Sequence, residues 1–125
     1  MPISGPATES LFEFEALTRG FIVSAPCADM AHYDRVVDTR KKMYRVQVKG
    51  RRGNGRKTFV IRVSKGNYSH YTKKDADILG LYIEDNKSWY MIPIEKVKYA
   101  FKMNIGNDTL LEYKDNWKIF KWGTL

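Results

Sequence analysis

The segment Met43-Tyr-Arg-Val-Gln-Val-Lys49 decides how the rest of the chain is read. Its period of two puts Tyr44, Val46 and Val48 on one face and Arg45, Gln47 and Lys49 on the other, as in a strand with one side buried. The polar face carries an amide oxygen and an ammonium two residues apart, about 7 Å along a strand. Just upstream, Tyr33 to Asp38 reads as another strand, and Asp38-Thr-Arg-Lys-Lys42 as the hairpin turn between the two. That hairpin lays Asp34 beside the Gln47 and Lys49 strand.

Working outward, Ala7 to Arg19 predicts a helix, with Ser4 or Thr8 as N-cap and Gly20 as the stop. Its apolar side is Leu11, Phe14 and Leu17 together with Phe12 and Ala16. Phe21-Ile22-Val23 reads as a short strand. Downstream, Gly50 to Arg56 holds three glycines and predicts a mobile loop, followed by a third meander strand over Phe59 to Ser64. Asp77 to Glu84 and Trp89 to Ile94 read as a second strand pair around the turn Glu84-Asp-Asn-Lys87. Lys114 to Trp122 suggests a short amphipathic helix. The expectation is one α/β domain over residues 1–125, a mixed β-sheet flanked by helices.

Lys and Arg number 22 against 14 Asp and Glu, a formal charge of +8. Nine of those cations fall within the 18 positions from Arg40 to Lys57, with no acid among them. Such a concentration neutralises phosphates and releases counterions, which points to nucleic acid. No amphipathic helix accompanies the run, so a membrane surface ranks well below, and no apolar stretch is long enough to span a bilayer. Cys27 is the only cysteine, so neither a disulfide nor a structural zinc site is expected. With no signal peptide visible, the expected location is the cytoplasm.

An aspartate, a carbonyl-type oxygen and a lysine on neighbouring strands suit phosphodiester hydrolysis: the oxygens hold a hard cation and the lysine stabilises developing charge. Spacing alone favours the plainer reading, with Asp34 as a turn residue and Gln47 and Lys49 as positions on an exposed edge strand.

Tyr33-Asp-Arg-Val-Val-Asp38, followed after a hairpin by Arg45-Val-Gln-Val-Lys49, resembles the core of the PD-(D/E)-x-K nuclease superfamily, the restriction-endonuclease-like fold. The Q-x-K in place of E-x-K is most similar to the homing endonuclease branch associated with group I introns. The resemblance extends upstream through Gly20-Phe-Ile-Val-Ser-Ala-Pro26 and downstream through Asp77-Ile-Leu-Gly-Leu-Tyr-Ile83 and Trp89-Tyr-Met-Ile-Pro93. It implies that Asp34, Gln47 and Glu9 bind the metal, Mg²⁺ with Mn²⁺ as a substitute. Lys49 completes the catalytic set of Glu9, Asp34, Gln47 and Lys49. Glu9 lies eleven residues before Gly20, where the family's helix glutamate sits, and Glu13, one turn on, is a rival. Two features depart from the pattern: Tyr33 replaces the usual proline, and the neutral Gln47 removes one negative charge from the site.

The expected activity is site-specific cleavage of both strands of DNA. One compact site cuts one strand, so a homodimer or higher symmetric assembly is implied. Double-stranded or branched DNA is the expected partner, contacted by Arg45, Arg51, Arg52, Arg56, Lys57 and Tyr68. Two alternatives stand: a Holliday-junction resolvase, and a noncatalytic nucleic-acid-binding module. His32 reads as a surface histidine, Asp29 as a turn residue, and Trp89, Trp117 and Trp122 as core or interface positions.

Overall fold

The computed structural model describes residues 3–27, 31–64, 69–106 and 109–121. Helix α1 spans Gly5–Thr18, two residues earlier at its start than expected, because Ser4 is the cap: its Oγ accepts the Ala7 N–H at 3.2 Å. Thr8 instead folds its hydroxyl back onto the Ser4 carbonyl at 2.9 Å. Gly20, at φ 86°, ends the helix in the left-handed region, as its lack of a Cβ permits.

Strands β1 (Ile22–Ser24), β2 (Arg35–Asp38), β3 (Met43–Arg51), β5 (Ile78–Ile83) and β6 (Ser88–Pro93) form one sheet in that spatial order. The remaining two, β4 (Thr58–Arg62) and β7 (Ala100–Asn104), pair only with each other. All pairings are antiparallel except β3 with β5. The expected three-strand meander therefore stops at β3. The slot beside β3 needs a strand apolar on both faces, and β5, Ile-Leu-Gly-Leu-Tyr-Ile, is buried at every position. The segment of β4 alternates exposed and covered residues, a pattern for a strand with one face in water. It leaves the sheet and forms a ribbon with β7, a strand the sequence did not announce.

Helix α1 covers one face of the sheet, burying Thr8, Phe12 and Ala16 in a single i, i+4, i+8 row, with Leu11 partly covered. Phe14 and Leu17, expected in the core, are 61% and 51% exposed. The reason lies beneath the row. A Cβ on Gly50 would stand 3.0 Å from the Thr8 hydroxyl, and one on Gly80 would stand 3.4 Å from the Phe12 ring. These two glycines let the helix sit close along Thr8 and Phe12, and that contact sets its rotation.

The opposite face carries a second core of Ile61, Leu79, Leu81, Tyr90, Ile92 and Met103, covered by the β4–β7 ribbon. Among the described residues α1 is the one α-helix, so a helix flanks one face and the ribbon the other. The helix expected over Lys114 to Trp122 is not formed across its described part. Short 3₁₀ turns at Leu111–Tyr113 and Trp117–Ile119 stand on either side of Asp115, whose φ of 51° a right-handed helix cannot contain. The segment is held by its aromatics: Trp117 stacks on Phe12 with ring centres 5.6 Å apart, and Phe120 meets Tyr44 edge-on at 5.4 Å. Trp89 and Trp117 are core residues; Trp122 lies outside the described residues. No helix among the described residues is long and apolar enough to cross a membrane.

Candidate active site

The site forms where two paired strands part. The ladder between β2 and β3 ends at Arg35 opposite Val46, while β3 runs on to Arg51. Asp34 closes the last rung twice: its N–H donates to the Val46 carbonyl, and its Oδ2 accepts the Val48 N–H, both at 2.8 Å. Beyond it the free edge of β3 borders a cleft of about 300 Å³. Side chains from both sides of the sheet reach this notch: Thr8 and Glu9 from α1, Asp34 from the lip, and Gln47, Lys49 and Arg51 from β3.

Glu9, Asp34, Gln47 and Lys49, chosen from sequence as the catalytic set, thus line one cleft. Gln47 is 7% exposed and its side chain makes no hydrogen bond to a described residue. Lys49 has no ion pair among the described residues, and its ammonium lies 5.9 Å from the centre of the Tyr71 ring. Burial lowers the Lys49 pKa, the Arg51 guanidinium adds to this, and Asp34 and Glu9 oppose it. Glu9 shifts the other way: burial raises its carboxyl and repulsion from Asp34 adds to the effect, against the pull of Arg35 and Lys49.

Arg35 was not picked out from the sequence. Its Nη1 donates to Glu9 Oε1 at 3.2 Å and to the Asp34 carbonyl at 2.7 Å, and its Nε donates to Glu13 Oε2 at 3.0 Å. One guanidinium therefore ties both helix glutamates to the start of β2. Glu9 faces the cleft with Asp34, while Glu13 is held by Arg35 on the flank and does not line the cleft. The available signal was two glutamates one helical turn apart, which need a cation beside Asp34.

The donor set fits a hard divalent cation. Among the described residues, the second oxygen of Asp34 accepts no hydrogen bond and the covered amide oxygen of Gln47 meets no donor. No group of three or more His, Cys, Asp and Glu side chains with metal-binding geometry occurs among the described residues. Two carboxylates and an amide are all oxygen donors and leave several positions to water, which suits a hard divalent ion.

The residues expected at DNA are distributed unevenly. Arg45 clasps the loop before β5: Nε donates to Asp77 Oδ2 at 3.3 Å, and its Nη atoms donate to the Lys73 and Lys74 carbonyls. Burial alone would raise the Asp77 pKa, but the Arg45 N–H and guanidinium outweigh it and the net shift is downward. Arg51 lines the cleft and donates to the Arg62 carbonyl at 2.9 Å. The side chains of Arg52, Arg56 and Lys57 are exposed and form no ion pair with a described residue. Their loop is tighter than expected. β3 continues through Gly50, and Gly53 is buried, its N–H donating to Asp85 Oδ1 at 2.7 Å. Tyr68 and Asp29 lie outside the described residues. His32 is about half exposed, with Nδ1 2.7 Å from Oδ1 of the buried Asp75.

The sequence profile of the PD-(D/E)XK endonuclease family matches residues 3–117. The fold is similar to that of a bacterial homing endonuclease (TM-score 0.76, 21% identity, covering 92% of this chain and 88% of that one). It is also similar to the Holliday junction resolvase Hjc of Archaeoglobus fulgidus, an archaeal hyperthermophile (TM-score 0.53, 15% identity, 82% and 84% covered). No curated protein matches the sequence.

Proposed function

The chain belongs to the PD-(D/E)XK endonuclease family, and from that premise we propose that it is a magnesium-dependent endonuclease that cuts duplex DNA at specific sites. The observation that carries this reading is the convergence of Glu9, Asp34, Gln47 and Lys49 on one strand-splitting cleft. Asp34 and Gln47 would hold the ion, joined by Glu9 on release from Arg35, and Mn²⁺ would substitute. A bound ion supplies a lowered pKa for its water and polarises the scissile phosphate.

The chain's own residues do the remaining work. Asp34 is fixed by the Val48 N–H, so one oxygen is oriented while the other faces the cleft. Lys49 sets a positive charge against the phosphate where charge develops during hydrolysis, in a partly dry site where that charge acts strongly. Arg51 and the exposed Arg52, Arg56 and Lys57 carry positive charge away from the cleft along the path of a DNA backbone. The homing endonuclease likeness supports double-strand cleavage by a homodimer or higher symmetric assembly, in which each copy supplies one site.

The test is incubation with supercoiled plasmid and with a four-way junction, each with Mg²⁺ and with EDTA. Mg²⁺-dependent linearisation of plasmid is the expected result. Cutting confined to the junction would assign the chain to resolvases, and binding without cutting in any metal would leave a noncatalytic module.

A further inference from the structure

The β4–β7 ribbon has two unlike faces. Phe59, Ile61, Phe101 and Met103 point inward onto the second core. The outward face is built from three cross-strand rows: Thr58 opposite Asn104, Val60 opposite Lys102, and Arg62 opposite Ala100. Thr58, Val60, Arg62 and Lys102 are exposed, and none of the six residues in these rows is acidic. Packing of the inner face fixes the strand register and with it the spacing of the outer residues.

We infer that this outward face enters the major groove of DNA beside the cleft and reads base edges. The inference rests on the endonuclease reading above and adds to it a surface for sequence recognition. Three physical points carry it. First, the major groove admits a two-stranded β-ribbon. Second, rows two residues apart recur about every 6.8 Å along an antiparallel strand, close to twice the roughly 3.4 Å rise of a base pair. Three rows therefore address about five successive base pairs. Third, the residue types suit base edges: Arg pairs with guanine, Asn with adenine, Thr and Lys donate hydrogen bonds, and Val and Ala meet the thymine methyl. Val60, 49% exposed at the centre of the face, is open to apolar contact with a thymine methyl.

The ribbon is also tied to the site. Arg51 lines the cleft, and its Nη2 donates to the Arg62 carbonyl at 2.9 Å. The Arg62 row is thus the one nearest the scissile phosphate, and the Thr58 row lies about 14 Å further along the strand. At that far end the Ile105 N–H donates to the Lys57 carbonyl at 2.8 Å, placing Lys57 and Arg56 where the groove meets phosphate.

The experiment is selection of a random-sequence duplex pool in EDTA by the wild type, by Arg62→Ala and by Val60→Glu. Circular dichroism melts serve to confirm that the exposed substitutions leave the fold intact. The wild type should enrich a motif. Arg62→Ala should enrich the same motif with its preference reduced roughly tenfold at one or two adjacent positions. Val60→Glu should lose the motif while retaining salt-sensitive binding to the unselected pool. A motif unchanged in both variants overturns the inference, as does a wild type that cuts plasmid but selects no sequence. In the latter cases the endonuclease reading survives. A wild type that neither binds the pool nor cuts plasmid removes both.

Discussion

Asp34 Oδ2 accepts the Val48 N–H at 2.8 Å, at the point where β2 leaves β3. A side chain takes over there from the backbone of a departing strand, so the same carboxylate closes the sheet and opens the cleft. Structural and chemical roles of Asp34 are separable by substitution. Asp34→Asn keeps an oxygen acceptor for Val48 but removes the charge, and Asp34→Ala removes both. Both should lower Mg²⁺-dependent cleavage by roughly 100-fold or more. Only Asp34→Ala should also lose stability on the order of 1–3 kcal/mol, from the orphaned N–H. Chemical denaturation beside plasmid cleavage checks this, and an Asp34→Asn enzyme cutting at the wild-type rate would remove Asp34 from the chemistry.

Lys49→Ala should likewise reduce turnover by about 100-fold while leaving DNA affinity in EDTA nearly unchanged. Its ammonium sits in the cleft with Arg51 beside it, so Arg51 retains the nearby phosphate attraction. A loss of affinity without a loss of single-turnover rate would make Lys49 a phosphate contact only.

Glu9 gives a pH signature. Burial, then repulsion from Asp34, raises its pKa above 4.5 in the folded chain. A carboxyl raised on folding contributes stability that is fully present below its unfolded value and is lost as pH rises through the folded value. Glu9→Gln abolishes that loss. Without metal, the melting temperature of Glu9→Gln relative to wild type should therefore rise between pH 4 and pH 7. A difference independent of pH, or falling over this window, would show that the Arg35 ion pair dominates the energetics of Glu9.

The cleft was legible from sequence because its parts lie on short-range patterns. Alternation placed Gln47 and Lys49 on one face, a tight hairpin brought Asp34 alongside, and the family resemblance selected Glu9 over Glu13. The failures came from long-range choices. β4 and β5 both look like strands, and only competition for the fully buried slot beside β3 sends one to the sheet and the other to the ribbon. Phe14 and Leu17 follow helical spacing as well as Phe12 and Ala16 do; the close approach at Gly50 and Gly80 selects between the rows. Arg35 escaped notice because its two glutamates lie 26 and 22 residues away in the chain.

Gln47 is the neutral member of the site, and Gln47→Glu tests whether it touches the ion. The substitution adds a negative charge in a cleft that already holds Glu9 and Asp34. Metal affinity by calorimetry should tighten by roughly tenfold, on the order of 1.4 kcal/mol. Turnover need not follow, since the same charge repels the phosphate. An unchanged or weaker midpoint would place the ion away from Gln47.

The basic loop yields a prediction independent of the chemistry. Arg52, Arg56 and Lys57 are exposed without ion-pair partners among the described residues, whereas Arg51 is anchored to the Gly50 and Arg62 carbonyls. Replacing the three exposed cations together by alanine should therefore leave the fold intact and weaken binding to every DNA sequence alike. The slope of log affinity against log salt should fall by about 2 to 3, near 0.9 for each lost phosphate contact. Arg51→Ala should behave differently, lowering stability as well, because it releases the end of β4 from the cleft. Fluorescence anisotropy on one duplex across a salt series measures the slope. An unchanged slope in the triple variant would mean that these charges face away from DNA, leaving the ribbon and the cleft as the binding surface.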